Sequence, residues 1–171
     1  IKDLLIAWLI ISIAFAILFA DNLFSYSFFI YLAISALTAG IGFLLHELMH
    51  KKVAQDFGLQ AEFQAFYGGL FLALVLSFFG FIFAAPGAVV IRGQITREKN
   101  GKISLAGPLT NLVLAVLFLI PALILAKTGT INIFFNFGFK INALLALFNM
   151  IPVMPFDGAK VIAWSKPVYY A

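Results

Sequence analysis

The two histidines of the chain fall in one pentapeptide, His46-Glu47-Leu48-Met49-His50. On a helix, residues four apart share a face, so both imidazoles can bind one Zn²⁺ while Glu47 reaches a water on that ion. Such strings arise by chance, and the alternative is a helix end whose His and Glu face water beside Lys51 and Lys52. This one, however, closes an uncharged run of 24 residues (22 to 45), where two imidazoles and a carboxylate are costly without a task. The metal reading is therefore preferred.

Catalytic zinc usually takes three protein ligands and leaves a fourth position to water. The chain has no cysteine and no third histidine, so the third ligand is a carboxylate, from Asp3, Asp21, Asp56, Glu62, Glu98 or Asp157. Asp157 lies in Asn149-Met150-Ile151-Pro152-Val153-Met154-Pro155-Phe156-Asp157-Gly158, inside the last apolar segment, where a dication is the natural partner of a lone carboxylate. Its rival is Asp56, ten residues after His46, as in one group of soluble zinc proteases. That arrangement wants a glycine at position 53, which is Val53 here.

The elements that must position these groups are membrane helices. The chain has 171 residues, is 64% hydrophobic and 11% charged, and has a mean hydropathy of +1.09. An ordinary soluble domain carries roughly 25% charged residues. Uncharged runs cover 4 to 20, 22 to 45, 63 to 91, 103 to 126 and 141 to 156. About 20 apolar residues cross a bilayer, so the chain reads as a multi-pass membrane protein, with the first run a retained anchor and not a signal peptide. The net charge of +4 suits Lys and Arg gathered on the cytoplasmic face. No basic patch is interleaved with exposed aromatics, so nucleic-acid binding is not expected. Disulfides are excluded by the absence of cysteine.

Leu4 to Ala20 reads as one helix and Ser25 to about Lys52 as a second, with Lys2 and Lys51-Lys52 placing the outer ends in the cytoplasm. As one helix the run 63 to 91 would be about 43 Å long, beyond the roughly 30 Å core. It also contains Gly68-Gly69, Gly80 and Pro86-Gly87. It is followed by a β-rich stretch with Asn100-Gly101, read as a β-hairpin from about Ala88 to Leu105. Arg92, Arg97, Lys99 and Lys102 put that hairpin in the cytoplasm, so 63 to 91 must enter and return. Ile103 to Ala126 then leaves the cytoplasm, and about Ile141 to Trp164 comes back. The second and last spans run in the same direction, which brings His46, His50 and Asp157 to similar depth and favours Asp157 over Asp56.

Pro152 and Pro155 remove helical donors beside Asp157, and free carbonyls at membrane depth call for a watery cavity or a protein neighbour. A simple packing kink is the alternative. Ser104 to Asn111, with Gly107-Pro108, reads as close helix packing, and Asn111 and Asn149 as polar groups satisfied by a neighbouring helix. The hairpin edge could clamp an unwound substrate by strand addition or serve only as a cytoplasmic cap.

With these segments in order on apolar runs, residues about 28 to 165 resemble the site-2 protease family of intramembrane zinc metalloproteases. The resemblance rests on His46 to His50, on Gly107-Pro108-Leu109-Thr110-Asn111 and on Asn149 to Gly158. It implies one catalytic zinc held by His46, His50 and Asp157, Glu47 as acid and base, Asn149 near the substrate, and cleavage of membrane-spanning protein segments. Met49 stands where the family most often has glycine, and 63 to 91 is longer than the expected sheet-forming region.

The expectation is an all-α polytopic fold with about four transmembrane helices, a re-entrant segment and a small β-hairpin. Residues 1–171 would form a single membrane-embedded core, with further C-terminal helices left open. It would be a multi-pass cell-membrane protein with its N-terminus and active site toward the cytoplasm. The bilayer and a transmembrane protein substrate are the expected partners; substrate identity and oligomeric state are not legible. The competing function is a zinc-binding scaffold or metal transporter. A transporter usually strings polar groups across the bilayer, and the runs 4 to 20 and 103 to 126 offer almost none.

Overall fold

A computed structural model describes residues 1–23, 25–82, 86–125 and 128–171. Its helices are α1 (Lys2–Phe19), α2 (Tyr26–Ser35), α3 (Ile41–Asp56), α4 (Tyr67–Ser77), α5 (Arg97–Ile124), α6 (Gly129–Asn149), α7 (Asp157–Trp164) and α8 (Lys166–Tyr170), with a π-helical turn at Ala36–Gly40. Strands β1 (Gln60–Ala65) and β2 (Gly87–Arg92) pair as a small antiparallel sheet. Four helical stretches are long and apolar enough to cross a bilayer: Lys2–Phe19, Tyr26–Asp56, Arg97–Ile124 and Gly129–Asn149. The protein is thus an all-α polytopic membrane protein, as its composition predicts. The described residues group into two compact units, 1–44 with 63–88 and 45–62 with 89–171, and the division falls inside α3 and inside both strands.

In the first unit α1 packs on α2, on the π turn and on α4. The indole of Trp8 donates to the Ala36 carbonyl at 3.1 Å. A Cβ on Gly40 would lie 2.7 Å from both Ser12 Oγ and Trp8 Nε1, so only glycine allows this approach. Asp3 accepts from the Ala65 amide and from the Tyr67 hydroxyl, each at 3.1 Å. The 11 residues of α4 make a helix of about 16 Å, too short to cross. The Phe66 amide donates to the Pro86 carbonyl at 3.0 Å, so the chain comes back to where it left the sheet. The two ends of the run thus meet at the sheet; residues 83–85 between them lie outside the described ones.

In the second unit α5 packs on α6 and α7. Leu109, Leu112, Val113, Val116, Leu117 and Ile120 are exposed at three- and four-residue spacing, while Ser104 and Asn111 of the same helix are buried. This is an apolar outside with polar groups inside, the pattern of a helix facing lipid. A smaller cluster of Ala54, Leu59, Ala61 and Ile103, with Val53, Phe57, Val89 and Ile91 against it, ties the end of α3 to both strands and to α5.

Two expectations are corrected. The Ala88 to Leu105 hairpin does not form: its first half is β2, which pairs with β1, and its second half is the start of α5. Thr96 caps that helix by accepting from the Lys99 amide at 3.2 Å, and Glu98 pairs with Lys102 one turn on at 2.5 Å. Gly101 lies against the Trp164 side chain where a Cβ would collide, so its glycine serves close packing and not a turn. The last span is Gly129–Asn149 and not Ile141 to Trp164, because the chain is irregular from Met150 to Phe156, around the two prolines, before α7 begins. The preceding span starts at Arg97, ahead of Ile103; its expected end, Ala126, lies outside the described residues.

Gly138 of α6 faces the Phe118 ring of α5 so closely that any Cβ would strike it. Gly138→Leu is expected to force the two helices apart and destabilise the protein by about 1–3 kcal/mol. A lower thermal unfolding midpoint in detergent is the measurement, and an unchanged midpoint would refute this account of the interface.

Candidate metal centre

His46 and His50 lie one turn apart on α3, and Asp157 is the first residue of α7, where the helix dipole favours a carboxylate. The structure brings these three together. The two Nε2 atoms are 3.0 Å apart, and Asp157 Oδ2 is 3.4 Å from that of His46 and 3.1 Å from that of His50. All three residues are buried. Among the described residues, this is the group of three or more His, Asp or Glu side chains disposed to hold an ion.

The remaining donors and acceptors decide the chemistry of this cluster. His46 Nδ1 is 2.6 Å from Asn111 Oδ1, and His50 Nδ1 is 2.7 Å from the Ile103 carbonyl. Both acceptors lie on α5. An oxygen acceptor at each Nδ1 puts the proton there and leaves both Nε2 lone pairs bare. Two bare nitrogens and a carboxylate oxygen then converge, which repels unless a cation sits among them. Tetrahedral zinc with nitrogen and oxygen ligands at about 2.0–2.1 Å separates those ligands by about 3.3 Å, close to the edges seen here. The donor set fits zinc.

Gly107 of α5 supplies the space. A Cβ there would lie 2.5 Å from both Nε2 atoms, so the backbone of α5 forms one wall of the cluster. On its other side, Asp157 Oδ1 accepts from Lys160 at 3.3 Å, leaving Oδ2 to face the histidines. Gly158 admits the Met150 backbone so closely that a Cβ would collide with it, and the Tyr169 hydroxyl donates to the Met150 carbonyl at 2.8 Å. The Ile151 amide donates to the Phe148 carbonyl at 3.1 Å. The helix break before Asp157 is thus folded back and pinned.

Glu47 is buried beside His46, and its Oε2 has no hydrogen-bond partner among the described residues. The Val89 backbone amide of β2 faces its carboxylate, and His46 and Asp157 lie within electrostatic range. Asn149 ends α6, is half-buried, and donates to the Leu145 carbonyl of its own helix at 2.9 Å. Other carboxylates are engaged elsewhere: Asp56 with Lys52 at 2.5 Å, Asp21 with Ser27, Glu98 with Lys102, and Asp3 with Ala65 and Tyr67. Gly107, Ile103, Asn142 and Lys160 were not singled out as site residues from the sequence. Asn142 carried a usable signal, a polar amide at the start of an apolar run.

Sequence comparison agrees with this geometry. A Methanocaldococcus jannaschii protein named "Putative zinc metalloprotease MJ0611" is 48% identical over 165 residues, covering 94% of this chain and 86% of its own length. "Putative zinc metalloprotease YwhC" of Bacillus subtilis is 31% identical over 146 residues, 74% of this chain and 66% of that protein. "Putative zinc metalloprotease Rip3" of Mycobacterium tuberculosis is 31% identical over 123 residues, 70% of this chain but 27% of that protein. No family model matches the chain, and no solved structure matches it significantly. The chain belongs to the site-2 protease family.

Gly107→Ala is expected to place a methyl group among the ligand nitrogens. Zinc content of the purified protein should fall, with affinity reduced at least about tenfold, while helicity is retained. Full zinc loading of a helical Gly107→Ala protein would contradict the wall assigned to α5.

Proposed function

We propose that the protein is an intramembrane zinc metalloprotease that hydrolyses peptide bonds within or near the transmembrane segments of other membrane proteins. One observation carries the reading: three metal-competent atoms converge next to a buried carboxylate oxygen without a partner, in helices whose outer faces suit lipid. His46, His50 and Asp157 hold the ion, and residues 1–171 act as one membrane-embedded core. When bound, zinc polarises the scissile carbonyl and lowers the pKa of the attacking water. Glu47 takes a proton from that water at Oε2 and gives it to the leaving amine. Asn111 and the Ile103 carbonyl keep both imidazoles in the liganding tautomer. The irregular segment from Met150 to Phe156 gives water and substrate a way to Asp157 that a continuous helix would close.

A helical substrate hides its peptide bonds and must unwind before attack. Strand β2 suits such a chain. The Phe66 amide and the Pro86 carbonyl form a bonded pair, so along β2 the amides of Ala88 and Val90 point to β1 and those of Val89 and Ile91 point to the opposite edge, where Val89 faces the Glu47 carboxylate. An extended substrate adds to that edge beside Glu47, with Asn149 as a further contact. The N-terminus and the site face the cytoplasm of the cell membrane in this reading, following the Lys and Arg distribution.

Glu47→Gln is the test. Zinc content should be unchanged and cleavage of a membrane-spanning substrate in proteoliposomes should fall by about 10²–10⁴-fold. Unaltered cleavage removes Glu47 from the mechanism. Zinc flux across the vesicle wall with no proteolysis by the unaltered protein replaces the protease reading with transport.

A further inference from the structure

The proposed chemistry gives Lys160 no task. It stands one turn after Asp157 on α7, and its ammonium donates to Asp157 Oδ1 at 3.3 Å. The other oxygen, Oδ2, lies 3.4 Å from His46 Nε2 and 3.1 Å from His50 Nε2. Helix stability does not account for the lysine. A cation close to a helix N-terminus opposes the dipole, and an ion pair whose lysine side chain is 32% exposed adds little to the fold. What the pair does is divide the carboxylate: one oxygen is committed to the ammonium, and the other is left to the imidazoles. The charge of Lys160 also bears on Glu47, so one ammonium serves both carboxylates of the cluster.

We propose that Lys160 is a positioning residue that holds Asp157 to a single ligating oxygen and so keeps the fourth place on the metal open for water. The inference rests on the zinc reading of the cluster. A carboxylate can offer a metal one oxygen or both. Two imidazole nitrogens and one oxygen leave a tetrahedral ion one place, as catalytic zinc requires. With both oxygens on the ion the protein fills all four places, and the site becomes of the closed kind that structural zinc occupies. The direction of Oδ1 decides between the two. The backbone beside Asp157 is fixed where Gly158 meets Met150, so the freedom that remains is rotation of the carboxylate about its own bond. A charge-assisted hydrogen bond to Oδ1 removes it. Lysine suits the place because its ammonium has three donors and no lone pair, so it turns the carboxylate without competing for the metal.

The experiment uses the full chain in detergent, loaded with Zn²⁺. With ¹³C in the aspartate carboxylates, the infrared difference between loaded and metal-free protein isolates the carboxylate that changes on binding. The unaltered protein should show the widely split asymmetric and symmetric stretches of one-oxygen ligation. Lys160→Met should narrow that splitting while zinc stays bound. It should also weaken acetohydroxamate, a probe that needs an open place on the metal, by about 10–100-fold in calorimetric titration. Lys160→Arg keeps a charged donor and should restore both properties. Two-oxygen ligation in the unaltered protein overturns the proposal without recourse to any variant. So does a zinc-loaded Lys160→Met protein that unfolds at a lower temperature but keeps the wide splitting, which is the mark of a purely structural ion pair, and so does a Lys160→Arg protein that behaves like Lys160→Met. An unaltered protein that binds no zinc overturns the metal reading and this role with it; a loaded protein whose splitting ignores the loss of Lys160 overturns the role alone.

Discussion

Everything about the second unit turns on one electrostatic conflict: two imidazole lone pairs and a carboxylate oxygen are held within 3.0–3.4 Å of each other and away from water. In a solvated site such groups would rotate apart or take up protons. Here each is held from behind, by Asn111, by the Ile103 carbonyl and by Lys160. Their rear partners spend the alternatives that would relieve the conflict, and what remains is a demand for a cation. The missing Cβ of Gly107 leaves the room in which that demand can be met.

The same constraint explains why the helices carry polar residues where a soluble bundle would carry leucine. With lipid outside, apolar side chains gain nothing by being buried, and association depends on close packing and hydrogen bonds between helices. Gly138 against Phe118 gives the close packing, and Asn111 with Asn142 gives the bond across the interface. The amide that bonds across the α5–α6 interface is also the one that faces His46.

Much of the site was legible in the sequence because charge and imidazole are scarce here and each must be explained. His46, Glu47 and His50 declare themselves by spacing, and Asp157 by the apolar run around it. What failed did so for local reasons. Asn100-Gly101 is a strong turn signal only when nothing else wants the backbone, and Thr96, Glu98 and the Trp164 face of α7 all want helix. The last span was expected to start at about Ile141, yet Lys140 just before it sits exposed within α6, where a long side chain can carry its charge outward. Gln60-Ala61-Glu62-Phe63-Gln64-Ala65 alternates as an edge strand should, but Glu62 hid it by ending an uncharged run.

The division of the site among its elements also follows from what each must tolerate. Regular helix is the most precise scaffold, and α3 and α5 supply the imidazoles and the atoms that fix their tautomers. The carboxylate that meets the imidazoles comes instead from the far side of an irregular stretch, Met150 to Phe156, that begins where α6 stops. A helix continued through this region would satisfy its own backbone and shut out water. A free loop would leave carbonyls bare in an apolar setting and let Asp157 drift. The solution seen is a loop whose Met150 carbonyl accepts from the Tyr169 hydroxyl and whose Met150 backbone is closely approached by Gly158 of α7. Precision at Asp157 is thus kept by contacts on the loop's inner side, which leaves its exposed side, Pro152 to Pro155, free to border solvent or substrate.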